Sequence, residues 1–297
     1  MLLTRRHLLS ACGAVGGALL LPIPTAAADP RPGSPAVVLD DGRGGRLAHH
    51  AHEPRPLGGT VRLLHLAAYG LALDRGLAVP GEPVRVGDWE RYRSPFDDGH
   101  AAALRALDLK STNGSTADDP NARVSLADLV GVLAEHGDHA AADYLRHRLG
   151  DDVLRAAAGR STFPVPDLLG DALHAVLGRP VTAEQYVGDP RLQLEVIGRR
   201  PDAHPPAGTG GLGTAAELHR LLRSAGRSPG VAGHPGRARV LGDAWSGGFA
   251  VWVRWSDGRV GTAVVLTGPG AAGDLVGAVR SALLDPAALH DLRASLG

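Results

Sequence analysis

From Thr60 to Arg75 the chain is apolar on nearly every helical face, with Val61, Leu63, Leu64, Leu66, Ala67, Ala68, Leu71 and Leu73 in one stretch. A helix apolar all round has no face to give to water, so it must run through the middle of a core. The rest of the chain therefore has to wrap it. Ahead of it, Ala36-Val37-Val38-Leu39 and Arg46-Leu47-Ala48-His49 flank Asp40-Asp41-Gly42-Arg43-Gly44-Gly45, the composition of a β-hairpin. Near the other end the pattern alternates through Phe249–Trp255, turns at Ser256-Asp257-Gly258 and continues from Arg259 to Thr267, a second hairpin. Two helices, about Ala271–Leu284 and Pro286–Leu296, close the chain. The middle reads as helices joined by long connections. Ser125 with Asp128 three residues on forms a capping box for Leu126–Glu135, and Asp138 caps a helix through Leu149. Further helices are expected at Leu168–Leu177, from Asp189-Pro190 to Arg199, and at Thr214–Ala225. Strands at both ends with helices between predict an α+β fold. The terminal hairpins join in one antiparallel sheet packed with helices, the middle forms a helical lobe, and a cleft lies between them.

The amino terminus reads as an export signal. Thr4-Arg5-Arg6-His7-Leu8-Leu9 supplies paired arginines, an apolar run extends to Ile23, and Ala26-Ala27-Ala28 ends it with small residues. This is the pattern of a twin-arginine signal cleaved near Ala28, which predicts a secreted or cell-envelope protein with no stable membrane anchor after cleavage. Cys12 is the sole cysteine, so the mature chain has no thiol chemistry. Basic and acidic side chains balance at 31 each, without blocks of like charge, which argues against nucleic acid as a partner. Of the 31 basic residues only Lys110 is a lysine.

Several phrases carry a family resemblance: Pro56-Leu57-Gly58-Gly59-Thr60-Val61-Arg62-Leu63-Leu64, Val86–Tyr92, His136–Leu145 and Gly213–Leu218. With the order of elements, they make the chain similar to the class A β-lactamase and penicillin-recognising serine hydrolase family over most of its length. The resemblance implies a β-lactamase/transpeptidase-like domain over 29–297, after the signal at 1–28. Its sheet subdomain comprises about 36–58 and 212–297, and its helical subdomain about 59–211. It also implies where the chemistry should be. The family's Ser-x-x-Lys, whose serine attacks an amide and whose lysine helps remove the proton, falls on Gly59 and Arg62. Glycine has no hydroxyl, and a guanidinium stays protonated near neutrality. The Ser-Asp-Asn falls on Gly137, Asp138 and His139, keeping only the aspartate, and the Lys-Ser/Thr-Gly falls on Ser246, Gly247 and Gly248. Asp138 also reads simply as a helix cap. The two glycines either keep a strand open to ligand or relieve strand crowding.

Other chemistry is weak in this sequence. Thr60 is the hydroxyl next to the lost nucleophile, but one residue along a helix turns a side chain by about 100°, away from the serine's direction. Gly226-Arg227-Ser228-Pro229-Gly230 matches a nucleophile-elbow string but follows a helix where a strand is required. His139, Asp143 and His147 recur every four residues with His136 just upstream, and could present one face to a metal. Surface placement is the plainer reading, and no metal or cofactor is expected. His49-His50-Ala51-His52 reads as a strand end, and Glu184 and Glu195 as helix-surface residues. The sequence thus predicts a degenerate serine hydrolase relative without catalytic residues. Arg62, Thr60, Asp138, His139 and Ser246 would line the old cleft, with Arg62 pairing the carboxylate of a β-lactam or cell-wall peptide. The alternatives are a hydrolase acting through an unforeseen nucleophile or the histidine face, and a structural paralogue recognising a protein partner.

Overall fold

The computed structural model describes residues 34–94, 99–161, 164–199, 211–228, 230–231, 236, 238–243, 247–267 and 273–296. The expected signal segment lies outside them. Strands β1 (Ala36–Asp40) and β2 (Arg46–His49) form the first hairpin, and a short β3 (Arg55–Pro56) leads into a 3-10 turn (Gly58–Arg62) and helix α1 (Leu63–Asp74). A ribbon of β4 (Pro83–Arg85) and β5 (Arg123–Ser125) brackets α2 (Val86–Glu90) and α3 (His100–Ala106). Helices α4 (Leu126–His136), α5 (His139–Leu149), α6 (Asp151–Ala158), α7 (Leu168–Leu177), α8 (Ala183–Gly188) and α9 (Pro190–Arg199) follow. After β6 (Leu212–Gly213), which pairs with β3, come α10 (Ala215–Ala225), β7 (Ala238–Asp243), β8 (Gly248–Arg254), β9 (Val260–Leu266), α11 (Gly273–Leu284) and α12 (Pro286–Leu296).

The two chain ends do join in one sheet, of order β2-β1-β9-β8-β7, antiparallel throughout. Strand alternation explains how this sheet is buried on both faces. Ala36, Ala250, Trp252, Val264 and Leu266 belong to the large core shared with α1 and α10. Their neighbours Val37, Leu39, Phe249, Val251, Val253, Ala263 and Val265 meet Val279, Leu283, Leu289 and Leu292 of the two terminal helices. The inner strands thus have apolar company on both faces, and β8 and β9 read as nearly continuous hydrophobic runs. Helix α1 is buried from Leu63 to Gly70, as its all-round apolarity requires. This α+β arrangement, with a sheet from the chain ends, a buried helix after the first hairpin and a helical lobe from the middle, is the one the resemblance implies.

Two local expectations are corrected. The helix does not run regularly from Thr60. Gly58 adopts φ 49°, and the Leu63 N–H bonds to the Thr60 carbonyl in the tight 3-10 manner. That leaves the Gly59 carbonyl to accept from the Arg62 side chain, Nε to O 2.9 Å. The second hairpin also has a third strand, β7, at the edge of the sheet. The capping boxes at Ser125/Asp128 and Thr182/Gln185 are both formed, the second one unremarked in the sequence. Among the described residues no helix is long and apolar enough to cross a membrane.

Candidate functional site

The 3-10 turn at the head of α1, the α4–α5 turn and edge strand β7 meet where the resemblance places a catalytic cleft. Arg62 fills this junction. It is 7% exposed, and it donates from Nε to the Gly59 carbonyl at 2.9 Å and from Nη1 to the Gly137 carbonyl at 2.5 Å. The guanidinium therefore clamps the head of α1 to the α4–α5 turn, 75 residues away in the chain.

The same guanidinium occupies the space that side chains on either partner would need. A Cβ added at Gly59 would come within 2.5 Å of Arg62 Nη2, and one at Gly137 within 2.8 Å of Nη1. Either contact would force the guanidinium, the movable end of a long side chain, out of the place where its two hydrogen bonds hold it. Gly137 is further restricted because it ends α4 in the left-handed region at φ 67°. Glycine at 59, arginine at 62 and glycine at 137 are thus packed as one unit, with the guanidinium in the space that a Cβ at either glycine would take. Strand β7 adds a wall, since a Cβ on Gly59 would also stand 3.2 Å from Gly242 Cα.

Asp138 is completely buried and faces inward. Its Oδ1 accepts from the Ala141 N–H at 2.9 Å, which caps α5 as expected, and its Oδ2 accepts from His100 Nδ1 at 3.0 Å. His100 Nε2 lies 3.4 Å from Glu90 Oε1, and that oxygen also accepts from the Ala117 N–H at 2.6 Å. Both Asp138 oxygens are committed to an internal network joining α2, α3 and α5, so this residue does not line the cleft. His100 was not singled out in the sequence, because only the tertiary structure brings α3 beside the α5 cap.

The Arg62 charge acts on the two histidines beside this junction. His139, half-buried, has its pKa pushed down to about 3, first by burial and then by the Arg62 charge. His65 on α1 is fully buried and likewise pushed down to about 3, by burial and then by Arg146 and Arg62. Neither ring nitrogen of His65 has a well-formed hydrogen bond among the described residues. Both imidazoles are therefore neutral at neutral pH.

Among the described residues, the one hydroxyl at the remaining motif positions, that of Thr60, is turned inward. Thr60 is buried, its hydroxyl donates back to the Leu57 carbonyl, and its methyl packs toward Gly242 and Gly248. Ser246 lies outside the described residues. Gly247, at φ 92°, accepts at its carbonyl from the Thr267 N–H. Gly248 begins β8, an inner strand, and a Cβ there would meet Leu266 Cδ2 at 2.8 Å and the Val265 carbonyl at 3.1 Å. Strand crowding thus accounts for Gly248. The strand that borders the head of α1 is β7, which the sequence reading did not separate from its partner. Ser228 sits in the turn after α10, with its hydroxyl against Gly70.

The helical spacing of His139, Asp143 and His147 does not produce a converging face. His139 lies beside Arg62, Asp143 is buried with Oδ2 accepting from the Leu169 N–H at 2.8 Å, and exposed His147 stacks 5.4 Å from Tyr92. Among the described residues no group of three or more His, Cys, Asp or Glu is placed to hold a metal. Two open cavities of about 330 Å³ are lined elsewhere, one along the arginines of α10 and one beside α5 and α8.

No protein-family model matches the chain, and no curated protein does. Among solved structures it is similar to a β-lactamase from Burkholderia ambifaria, at 18% identity over 87% of this chain and 95% of that one, with a TM-score of 0.46. An ancestral class A β-lactamase gives 18% identity over 84% and 92%, TM-score 0.47. The chromosome-encoded β-lactamase of Vibrio parahaemolyticus gives 12% over 85% and 92%, TM-score 0.46. Similarities of this size assign no activity, and the α+β architecture rests on the strand register and element order of the chain itself.

Proposed function

We propose that this protein is an exported, catalytically degenerate relative of the class A β-lactamase-like serine hydrolases, acting as a binding or interaction module for β-lactam-like or cell-wall-derived ligands. One observation carries the reading: the Arg62 guanidinium lies where side chains at 59 and 137 would stand, bonded to both backbones. A cleft filled in this way has neither a nucleophile nor a base. Degenerate motifs that had merely lost their side chains would leave a void. Here a compensating side chain fills the space, which supports retention of a stable, non-catalytic fold. In this reading Arg62 supplies the positive charge that the family's lysines supply, and a ligand carboxylate approaches that charge from solvent.

The test uses the mature protein, a fluorescent penicillin and a chromogenic cephalosporin. Intact mass is expected to stay unchanged and the cephalosporin to remain intact. A covalent adduct mapped to one residue would overturn the reading and name the nucleophile, and hydrolysis abolished by a chelator would overturn it in favour of a metal site. A thermal-shift panel of β-lactams and cell-wall stem peptides then tests ligand binding, and no stabilisation by either class would refute the small-molecule part.

A further inference from the structure

We propose that the cavity beside α5 and α8 is a binding site for a small organic ammonium ion, received by the unpartnered carboxyl oxygen of Asp143 and an aromatic wall of Tyr92 and His147. The cavity is remote from the Arg62 junction in its lining and holds about 330 Å³, within the range of small-molecule sites.

Its charge is lopsided. Asp143, Asp151, Asp167 and Glu184 contribute four carboxyl groups against one guanidinium, Arg146. That guanidinium is already engaged: Nε and Nη2 donate to Asp151 at 2.8 and 3.3 Å, and Nη1 contacts Asp167 Oδ2 at 2.9 Å. Asp167 Oδ1 in turn caps α7 through the Gly170 N–H.

Asp143 is what separates this place from an ordinary acidic surface. It is 4% exposed and lines the cavity, its Oδ2 accepts from the Leu169 N–H, and its Oδ1 has no partner among the described residues. A buried carboxyl oxygen left without a donor is costly, and an ammonium N–H satisfies it. Burial first, and the Asp167 charge second, hold the Asp143 carboxyl well above the usual carboxylate range. A cation beside it favours the ionised form and lowers that value. The groups facing Asp143 are Arg146 and His147 from its own helix, Asp151 from α6, Asp167 ahead of α7, Tyr92 after α2 and Glu184 from α8.

A compact divalent metal does not suit the site, since these side chains do not converge to coordinating distances. An alkyl ammonium does. Its charged end reaches Asp143, its chain lies along the Tyr92 and His147 rings, whose centroids are 5.4 Å apart, and a second amine reaches Glu184 at the exposed rim. A free diamine and a lysine side chain share this chemistry.

Calorimetry on the mature protein with cadaverine, with Nα-acetyl-lysine amide, and with pentane-1,5-diol as the uncharged isostere tests the idea. Cadaverine or the lysine derivative is expected to bind at about 1 mM or better and the diol not to bind. Titration in buffers of different ionisation enthalpy should show proton release. Asp143→Asn keeps an acceptor for the Leu169 N–H but cannot ionise, and should lose about tenfold in affinity along with the proton release. The rim variant Glu184→Gln, which leaves the buried group intact, should weaken cadaverine more than the lysine derivative. No binding of either amine would refute the proposal, as would binding that the diol matches or that neither variant changes.

Discussion

Adding a side chain at position 59 should destabilise the protein only while Arg62 is present. A Cβ on Gly59 would stand 2.5 Å from Arg62 Nη2, roughly 1 Å inside ordinary heavy-atom contact. Gly59→Ser therefore forces the guanidinium aside. That disturbs the bonds to the Gly59 carbonyl at 2.9 Å and the Gly137 carbonyl at 2.5 Å, each charge-assisted and worth about 1.5–3 kcal/mol. Overpacking of this kind costs about 1–3 kcal/mol, and that is the loss expected for Gly59→Ser alone. Arg62→Ala should also be destabilising, because it leaves both carbonyls without the donor. In the Arg62→Ala background the serine no longer meets the guanidinium and is left against the Gly242 backbone, 3.2 Å from its Cβ, so its cost should fall by about 1 kcal/mol or more. Urea unfolding of the four proteins in the cycle gives the coupling energy directly, with fluorescence and circular dichroism transitions required to coincide. A coupling of about 1–3 kcal/mol is expected. Additive single effects would show that the guanidinium does not occupy the vacated space, and the steric-unit argument would fall. Position 59 is the clean choice, since at Gly137 the positive φ penalises any side chain whether or not the arginine is there.

Two further outcomes follow from the buried groups. His65 has its pKa lowered to about 3 in the folded state, against 6.5 for an ordinary histidine. The unfolded chain thus binds more protons between these values, and stability rises with pH through that window and is lost as pH falls. The slope from this residue approaches about 1.4 kcal/mol per pH unit. His65→Leu should flatten the acid limb of an unfolding-against-pH series, and an unchanged limb would show that the imidazole is not held neutral. Asp138→Ala removes the α5 cap and the His100 partner together. Capping alone is worth about 1 kcal/mol, and leaving the buried His100 Nδ1 without this acceptor costs about 1–3 kcal/mol more, so thermal unfolding should report a clear loss. Asp138→Asn keeps the cap and should recover part of it, whereas equal loss in both variants would show that the cap contributes nothing and that the His100 contact alone matters.

Elements with strong local grammar were legible. Helix α7 was expected at Leu168–Leu177, the helix opening at Asp189-Pro190 was expected to reach Arg199, and both bounds hold, because caps, breakers and a helical period act within a few residues. Strand β7 was missed. Its sequence Ala-Arg-Val-Leu-Gly-Asp carries few β-formers, and it exists because β8 offers it a partner edge. The 3-10 turn was missed because the residues Gly58–Arg62 carry no local pattern that separates a 3-10 turn from the first turn of an α-helix. The four-residue spacing of His139, Asp143 and His147 was visible, yet it implied a common face that the packing of α7 and α8 dissolves. Asp143 is drawn under the start of α7, and His147 is left at the surface.

What the sequence by itself determined is the architecture and the residue types at the head of α1. A helix apolar on all faces demanded a surrounding core, alternating strands at both ends supplied a sheet, and glycine at 59 with arginine at 62 put no hydroxyl and no neutral amine at those two positions. These are properties of residue type and local period. Only the tertiary structure decided what those residues meet. Arg62 meets Gly137 across 75 residues of chain, Asp138 meets His100 across 38, and the Asp143 carboxyl becomes an unpartnered acceptor because α5, α7 and α8 converge on it. Such contacts depend on how whole elements pack, and no run of neighbouring residues encodes them.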